Sequence, residues 1–414
     1  MPQTERKQAI PPAVYILGLA IFAMGTSEFM LAGLLPDMAA DLGVSIPDAG
    51  LLISAFALGM VVGAPVLALA TLRLPRRLTL LSFLAVFVLA HIVGALVLDY
   101  EVLLATRILG ALVYAGFFGV ATVAASAMVA PASRAKALAI VVAGVTVSTV
   151  LGVPAGTLIS QYADWRAAFW AVAALTALAF VGVLTAVPSI ARGGPAPRIR
   201  NELRAMASLP LWVAYGAVAL SFSSMMATFS YLGAMLTDTT GLAEGWVPAV
   251  LALFGLGCLI GITVGGRVAD EHPFATLYAG MAGVIVTSGL VAVGAAEPAM
   301  VVASVFFMGV FGMASNPAVS VRVFTLAGEA RTLAGASVTS VFNIGNTLAP
   351  WLGGLVIGSG FGYAAVPWVG VAMASGALLL GLWGHVLERR ANAAAEEGEK
   401  GGEGKSEEPV PVGV

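Results

Sequence analysis

The run "AGLLISAFALGMVVGAPVLALA", residues 49–70, decides the fold class of this chain. It contains no charged side chain, and its length matches the roughly 20 apolar residues that a helix needs to cross about 30 Å of hydrocarbon. Of the 414 residues in the chain, 59% are hydrophobic and 10% are charged. Soluble proteins carry about 25% charged residues, so we expect an integral membrane protein.

Eleven further apolar runs of similar length occur along the chain, each bounded by charged or Pro/Gly-rich breaks. Their length and continuity indicate helices, because the strands of a membrane barrel alternate in polarity. We therefore predict an all-α membrane protein with twelve transmembrane helices. The predicted spans are 12–35, 49–70, 78–98, 102–129, 137–160, 166–187, 210–236, 246–266, 274–296, 299–321, 332–358 and 362–387.

Basic residues are distributed unevenly among the predicted loops. With both termini in the cytoplasm, all 20 Lys and Arg residues except Arg107 and Arg166 fall on the cytoplasmic side. This bias follows the positive-inside rule and predicts a multi-pass protein of the cell membrane. The net charge of −2 does not indicate a nucleic-acid partner. We expect a monomer surrounded by the lipid bilayer.

Two polar segments divide the chain into domains. Residues 188–209 are basic and rich in Pro and Gly, and they predict a cytoplasmic linker between a first six-helix bundle, 1–187, and a second, 210–390. The acidic, low-complexity segment 391–414 predicts a disordered cytoplasmic tail. Its "GEGKSEE" lacks the first glycine of a phosphate-binding loop, so we expect no nucleotide cofactor. The sequence shows neither the spacing of metal ligands nor a nucleophile–base pattern, so we expect no metal site and no enzyme.

The two predicted bundles repeat one another weakly. "FMLAGLLPDMAADLG" at 29–43 is similar to "FSYLGAMLTDTTGL" at 229–242, and two similar halves are typical of secondary transporters. Small residues also recur every four positions in four spans, which lets helices approach closely. We interpret these stripes as surfaces on which the two bundles slide, with ordinary tight packing as the alternative. The stripes are Ala55, Gly59 and Gly63; Gly144, Ser148, Gly152 and Gly156; Gly257, Gly261 and Gly265; and Gly345, Ala349 and Gly353.

Several motifs resemble those of the major facilitator superfamily, and more narrowly its twelve-span drug:proton antiporter group. One is "GVTVSTVLGVPAGT" (144–157) in the fifth span. "GTSEFMLAGLLPDMAADLGVS" (25–45), "GVPAGTLISQYADWRAAF" (152–169) and "SVFNIGNTLAPWLGG" (340–354) are similar to the branch that contains chloramphenicol-efflux and sugar-efflux transporters. The resemblance implies two pseudo-symmetric six-helix bundles that alternately open a central cavity to each side of the membrane.

The resemblance also implies gating and structural residues. The family's basic loop after the second span is present here, but Leu72 stands at its acidic position, whereas the second half keeps Asp270. The family's fifth-span motif often reads Gly-Pro, and here Val153 separates the two residues. The residues implied are Arg73, Arg76, Arg77, Asp270, Gly144, Gly152, Pro154 and Gly156.

Two charged residues, Glu28 and Arg107, lie inside predicted spans at a similar depth, about 9–10 Å from the outer end at 1.5 Å per residue. A charge at mid-bilayer depth costs at least ~3 kcal/mol on insertion scales, so such residues are rarely idle. Burial favours the neutral acid and a nearby arginine favours the carboxylate, so a conformational change would alter the proton affinity of Glu28. We predict proton coupling by both residues, and the resemblance also implies a proton-relay role for Arg107. The alternative is a fixed ion pair that braces spans one and four.

Other polar and soft side chains in the spans are candidates for binding a substrate. A cavity with apolar walls and a few hydrogen-bonding groups suits a small, neutral, amphiphilic molecule. Hydrogen bonding between helices is the alternative role for each residue. We expect His91 to be a packed, neutral histidine and Asp37 to be a solvated helix cap. The substrate candidates are Tyr114, Met225, Thr228, Tyr231, Asn316, Asn343 and Asn346.

The sequence and the resemblance together predict a plasma-membrane antiporter that exports a small drug, chloramphenicol or a relative, in exchange for protons, and so confers antibiotic resistance. A sugar or metabolite exporter of the same superfamily is one alternative. A membrane sensor that binds a ligand without moving it is the other.

Overall fold

The computed structural model describes residues 10–71, 74–188, 208–269, 271–327 and 331–403, and it confirms the predicted all-α membrane class. Twelve helices are long and apolar enough to cross a membrane. We number these helices α1–α12 in chain order. Their bounds are Pro12–Gly33, Ile46–Ala70, Arg76–Leu96, Tyr100–Ala127, Pro131–Tyr162, Trp165–Ala186, Leu209–Asp238, Val247–Ala269, Pro273–Val293, Pro298–Ala327, Arg331–Val356 and Val366–Glu403.

The last helix is longer than the sequence predicted. α12 continues to Glu403, so residues 391–403 extend a helix and do not form the disordered tail that we expected there. This stretch is rich in Ala and Glu, which have high helix propensity. Residues 404–414 and 189–207 lie outside the described residues, so the remaining tail and the linker stay predictions.

The first helix of each half is interrupted at the same relative position. In α1, a regular helix Pro12–Phe29 gives way to a 3₁₀ turn at Met30–Gly33. In α7, the helix Leu209–Ser230 is interrupted at Tyr231 and resumes as Leu232–Asp238. Both interruptions fall inside the repeated segments identified in the sequence, so the weak repeat corresponds to a shared break in the backbone.

Helix α5 contains a wide π turn at Ser148–Gly152, and Val153 separates this turn from Pro154. Proline has no backbone N–H and cannot donate to the carbonyl four residues earlier. A π turn is one way in which a helix absorbs such a lost bond, and it changes the direction of the side chains that follow. The fifth-span motif is therefore a local distortion of the helix, placed midway along its length.

The two ends of the bundle are named here after two residues. A short helix, Leu35–Leu42, follows α1 and carries Asp41, so we call that side the Asp41 end. The opposite side, where α3 begins, is the Arg77 end. At the Asp41 end, Arg166 of α6 pairs with the Asp41 carboxylate at 2.5 Å, and the indole of Trp165 donates to it at 3.1 Å. The Arg166 hydrogen bond lowers the pKa of the Asp41 carboxyl below its usual range.

The two halves of the molecule meet through the Asp41 end. The Tyr231 hydroxyl of the second half lies against Gly50 of the first, and the side-chain amide of Gln161 donates to the Glu244 carbonyl at 2.6 Å. A Cβ on Gly233 would lie 2.8 Å from the carbonyl oxygen of Ala32. Among the described residues, every hydrogen bond and close glycine contact between the halves lies between mid-bundle and this end. The protein is therefore closed at the Asp41 end.

The small-residue stripes lie inside the halves, which corrects the prediction that they form the sliding surface. Gly144 and Gly152 of α5 face α1, where they contact the Gly18 carbonyl and Thr26. Gly261 of α8 faces the Val310 carbonyl of α10 in the same half. The stripes of α2 and α11 face α4 and α7 in the same way. A small residue allows close approach by any neighbour, so its spacing alone does not identify the helix that it contacts.

Candidate functional site

A pocket lies at mid-depth where the two halves face each other. Its empty volume, including the open mouth, is ≈ 320 Å³. Most of its wall is aliphatic or aromatic, and Glu28, Ser230 and Asn346 are its polar members. The first half contributes Glu28, Phe29, Ala32, Ile53 and Ala57, and the second half contributes Met226, Phe229, Ser230 and Asn346.

The breaks in α1 and α7 place their residues in this pocket. Phe29 is the last residue of the regular part of α1, and Phe229 lies next to the last residue of the regular part of α7. These two phenylalanines occupy equivalent places in the sequence repeat and both line the pocket. The site therefore lies on the approximate symmetry axis, where interrupted helices form the binding sites of many secondary transporters.

Glu28 connects the two halves. Its side chain is buried, with 8% of the residue exposed, and its Oε1 accepts a hydrogen bond of 3.4 Å from the amide of Asn346 in α11. Within the described part of the chain, this is the one hydrogen bond between side chains of opposite halves. The bond is long and therefore weak, so it can break when the halves move.

Arg107 is buried beside Glu28 but is held by a different residue. Its Nη1 donates to the Ser27 hydroxyl at 2.6 Å, and its Nη2 donates to the Ser27 carbonyl at 2.9 Å. The guanidinium also lies over the Phe56 ring, 4.1 Å from the centroid. Among the described residues Arg107 and Glu28 form no ion pair within 4.0 Å. Arg107 thus ties α4 to α1, as in the bracing alternative, but through Ser27 and without using the Glu28 carboxylate.

Of the predicted substrate residues, the structure places Asn346 in the pocket. The candidates on α7 lie on other faces of that helix, because its pocket face consists of Met226, Phe229 and Ser230. Their spacing of three and four residues defines one helix face. Polar composition alone does not indicate which face of a buried helix meets the cavity.

Each remaining α7 candidate has a neighbour inside the second half or at the closed end. Met225 lies against Gly312 of α10, and the Thr228 hydroxyl faces Gly370 of α12. The Tyr231 hydroxyl donates to the Pro350 carbonyl at 2.8 Å. These residues support packing and closure in this conformation.

The other three candidates also lie outside the pocket lining. The Tyr114 hydroxyl lies near Gly25, on the side of α1 that faces α5. Asn316 accepts a hydrogen bond of 3.5 Å from Ser320. The Asn343 amide donates to the Thr339 carbonyl at 3.0 Å, and its buried Oδ1 has no partner among the described residues.

Sequence reasoning missed most of the apolar lining. Phe29, Ile53, Ala57, Met226 and Phe229 carry no chemical signal that separates them from the rest of an apolar helix. The signal that was available is the repeat, which aligns Phe29 with Phe229 on either side of the pocket. Because Glu28 lies next to Phe29, the repeat could have predicted both phenylalanines as part of the lining.

The basic loop acts within the first half. The Arg77 guanidinium donates to the carbonyl of Leu184, in the last turn of α6. A cation at that place satisfies a free carbonyl and interacts favourably with the helix dipole. Arg73 and Asp270 lie outside the described residues, so the gating role of both loops stays a prediction.

Comparison with known proteins agrees with this architecture. The family model described as Major Facilitator Superfamily matches residues 17–296 and 217–412. A "Chloramphenicol resistance protein" of Streptomyces lividans is 40% identical over 376 residues, covering 90% of this chain and 95% of the relative. The "Inner membrane transport protein YdhP" of Escherichia coli strain K12 is 34% identical, covering 88% of this chain and 94% of the relative.

A third relative, the "Uncharacterized MFS-type transporter YtbD" of Bacillus subtilis strain 168, is 32% identical and covers 94% of this chain. The matches extend over nearly all of the twelve helices and over both halves. The chain therefore belongs to the major facilitator superfamily and is a multi-pass membrane transporter.

Proposed function

We propose that this protein is a proton-coupled antiporter of the plasma membrane that exports chloramphenicol or a chemically similar amphiphilic drug. The observation that carries the proposal is the position of Glu28, a buried carboxyl in the pocket between the halves that contacts Asn346 of the opposite half. The choice of drug is supported by the 40% identity to a chloramphenicol resistance protein.

The pocket suits a small neutral molecule with a few polar groups. Its aliphatic and aromatic wall gains from burying apolar surface, whereas Glu28, Asn346 and Ser230 supply oriented donors and acceptors. A sugar presents many hydroxyl groups, each of which needs a partner when water is removed. Three polar side chains provide few such partners, which favours a drug over a sugar.

Glu28 couples the drug to the proton because both compete for the same carboxylate oxygens. A hydroxyl or amide N–H of the drug donates to the ionised carboxylate and stabilises its deprotonated form. A proton on the carboxyl group neutralises it and occupies a lone pair that would otherwise accept from the drug. Drug and proton thus alternate at one site. The inward movement of a proton supplies about 2.3 kcal/mol per 100 mV of membrane potential.

The transport cycle alternates which end of the bundle is closed. The excess of basic residues at the Arg77 end supports a cytoplasmic location for that end. The conformation closed at the Asp41 end then loads drug from the cytoplasm. Separation of Tyr231 from Gly50 and of Gly233 from Ala32 opens the outer side, where the drug leaves and Glu28 takes up a proton.

Everted membrane vesicles provide the test. In such vesicles an established proton gradient is dissipated when drug is added, if drug and proton exchange. We expect chloramphenicol to release protons in wild type and in Glu101→Gln, which alters an exposed glutamate at the start of α4, but not in Glu28→Gln. Proton release by sugars and not by chloramphenicol would indicate the sugar exporter. Saturable drug binding without proton release in any variant would indicate the sensor, and normal exchange in Glu28→Gln would remove Glu28 from the mechanism.

A further inference from the structure

His91 of α3 is a buried histidine that the proposed transport cycle does not yet use. Only 3% of the residue is exposed, and its ring stacks on Phe87 with centroids 4.2 Å apart. Phe169 of α6 lies on its other side at 5.6 Å. Apolar packing alone would explain the ring, but both of its nitrogens are also hydrogen-bonded, which an apolar side chain could not reproduce.

The partners of His91 fix the direction of each hydrogen bond. Its Nδ1 lies 2.9 Å from the Phe87 carbonyl, which can only accept, so Nδ1 carries the proton. In the neutral ring Nε2 is then an acceptor, and the Ser27 hydroxyl, at 2.6 Å, must donate to it. The lone pairs of the Ser27 oxygen are left to accept from Nη1 of Arg107. The chain of bonds runs in one direction, from Arg107 through Ser27 to His91 and Phe87.

The same contacts hold Arg107 at the break in α1. Ser27 is within the last four residues of the regular helix Pro12–Phe29, where carbonyls lack intrahelical partners. Nη2 of Arg107 binds the Ser27 carbonyl at 2.9 Å, so the guanidinium caps the helix beside the 3₁₀ turn. Consecutive residues of a helix point about 100° apart, and Ser27 therefore faces α3 and α4 while Glu28 faces the pocket.

We propose that His91 is a positioning residue for the coupling site: by accepting a hydrogen bond from the Ser27 hydroxyl, it keeps Arg107 bound to Ser27 and off the Glu28 carboxylate. This inference rests on the proposed function. Without the acceptor on His91, the Ser27 hydroxyl turns and competes with Arg107 for nearby carbonyls. A buried guanidinium that loses a partner moves to the nearest anion, and Glu28 is the neighbouring residue. An ion pair there would hold the carboxyl in its charged form and oppose proton uptake.

The surroundings of His91 keep it neutral in this arrangement. Arg107 is the one charged group acting on the ring among the described residues, and Ser27 of α1, Phe169 of α6 and Phe87 of α3 contact it. If Nε2 also carried a proton, both His91 and Arg107 would donate to the Ser27 oxygen. The two side chains would then be cations separated only by the Ser27 hydroxyl. Arg107 and a charged His91 therefore exclude each other.

Nitrogen NMR of the protein in lipid nanodiscs tests the bond directions without any transport. The chain has 3 histidines, so ¹⁵N-histidine labelling with His272→Gln and His385→Gln variants assigns His91. We expect His91 to be neutral with its proton on Nδ1 from pH 5 to pH 8, because the Phe87 carbonyl accepts from that nitrogen. In Ser27→Ala the chemical shift of Nε2 should change, because the hydrogen bond to that nitrogen is lost. A proton on Nε2, or a charged ring in this range, would overturn the proposal.

Transport separates a positioning role from simple packing. In everted vesicles we expect His91→Leu and Ser27→Ala to move the pH midpoint of drug-driven proton release about one pH unit lower, the scale of an arginine brought next to a carboxyl group. His91→Gln, whose side-chain carbonyl can accept from Ser27, should retain the wild-type midpoint. His272→Leu, at an exposed position beside α9, is the matched control.

Wild-type midpoints in both Ser27→Ala and His91→Leu would show that His91 only packs. If His91→Leu fails to fold, His91→Phe keeps an aromatic ring between Phe87 and Phe169 but removes the acceptor, and it decides the question. The two proposals fail separately. Absence of drug-driven proton release in wild type would refute the antiporter, whereas the nitrogen spectrum would still decide whether His91 orients Ser27 and Arg107.

Discussion

Closure of the Asp41 end depends on the absence of a side chain at Gly50, so Gly50→Ala should open that end. A Cβ on Gly50 would lie 2.8 Å from Cζ and 3.0 Å from Cε1 of Tyr231. The ring cannot move away, because its hydroxyl is bonded to the Pro350 carbonyl and its other edge lies against Gly353. The added methyl group must therefore push the halves apart or distort both.

The magnitude follows from the cost of overpacking. Inserting an extra methyl group into a close-packed contact typically costs about 1–3 kcal/mol. Here that cost applies to the closed conformation alone, because Gly50 and Tyr231 belong to different halves and separate when the end opens. A difference of that size changes a two-state population by about 5- to 150-fold.

Distances between spin labels measure this population directly. Labels at Glu101 of the first half and Glu297 of the second, both exposed at the Asp41 end, should report a longer distance in Gly50→Ala than in wild type. The natural Cys258 is buried, so it does not compete for the label. Gly245→Ala is the control, since a Cβ there meets no atom within 4 Å. An unchanged distance distribution in Gly50→Ala would refute the assignment of this contact as the closure.

Three further changes test other contacts. Asp41→Asn should lower the melting temperature at pH 7. Because Arg166 lowers the pKa of the Asp41 carboxyl, the pair stabilises the fold at pH values above the pKa of this carboxyl in the unfolded chain. The difference in melting temperature from wild type should vanish as the pH falls through the lowered pKa of the folded protein. Gly152→Leu should reduce expression and transport together, because Gly152 contacts Thr26 inside the first half, and normal expression with blocked turnover would restore the sliding interpretation. Asn346→Ala should weaken drug binding by about 5- to 10-fold, because it removes one hydrogen bond worth about 1 kcal/mol. Tryptophan fluorescence measures the affinity, and an unchanged affinity would remove Asn346 from the drug site.

The sequence predicted the features that depend on one helix at a time. Twelve spans follow from hydrophobic length, and a carboxyl such as Glu28 is conspicuous because a charge in hydrocarbon is costly. Asn346 was predicted as a hydrogen-bonding side chain of a transmembrane helix, and it lies in the pocket.

Contacts between helices were harder to predict, because they depend on rotation and on partner choice. A shift of one residue turns a helix face by about 100°, so Met225 and Thr228 were chosen where Met226 and Phe229 face the pocket. Arg107 and Glu28 were predicted to lie at one depth, either in contact or in a shared cavity, but depth does not determine which face of α1 Arg107 contacts. The bond to Ser27 depends on that rotation.

We propose that Glu28 gives up a proton when drug binds. Purified protein in weakly buffered nanodiscs, with a pH-sensitive dye, allows the protons released per bound drug to be counted. We expect about one proton per drug in wild type and none in Glu28→Gln, with Glu101→Gln behaving as wild type. Equal proton release from wild type and Glu28→Gln would contradict it.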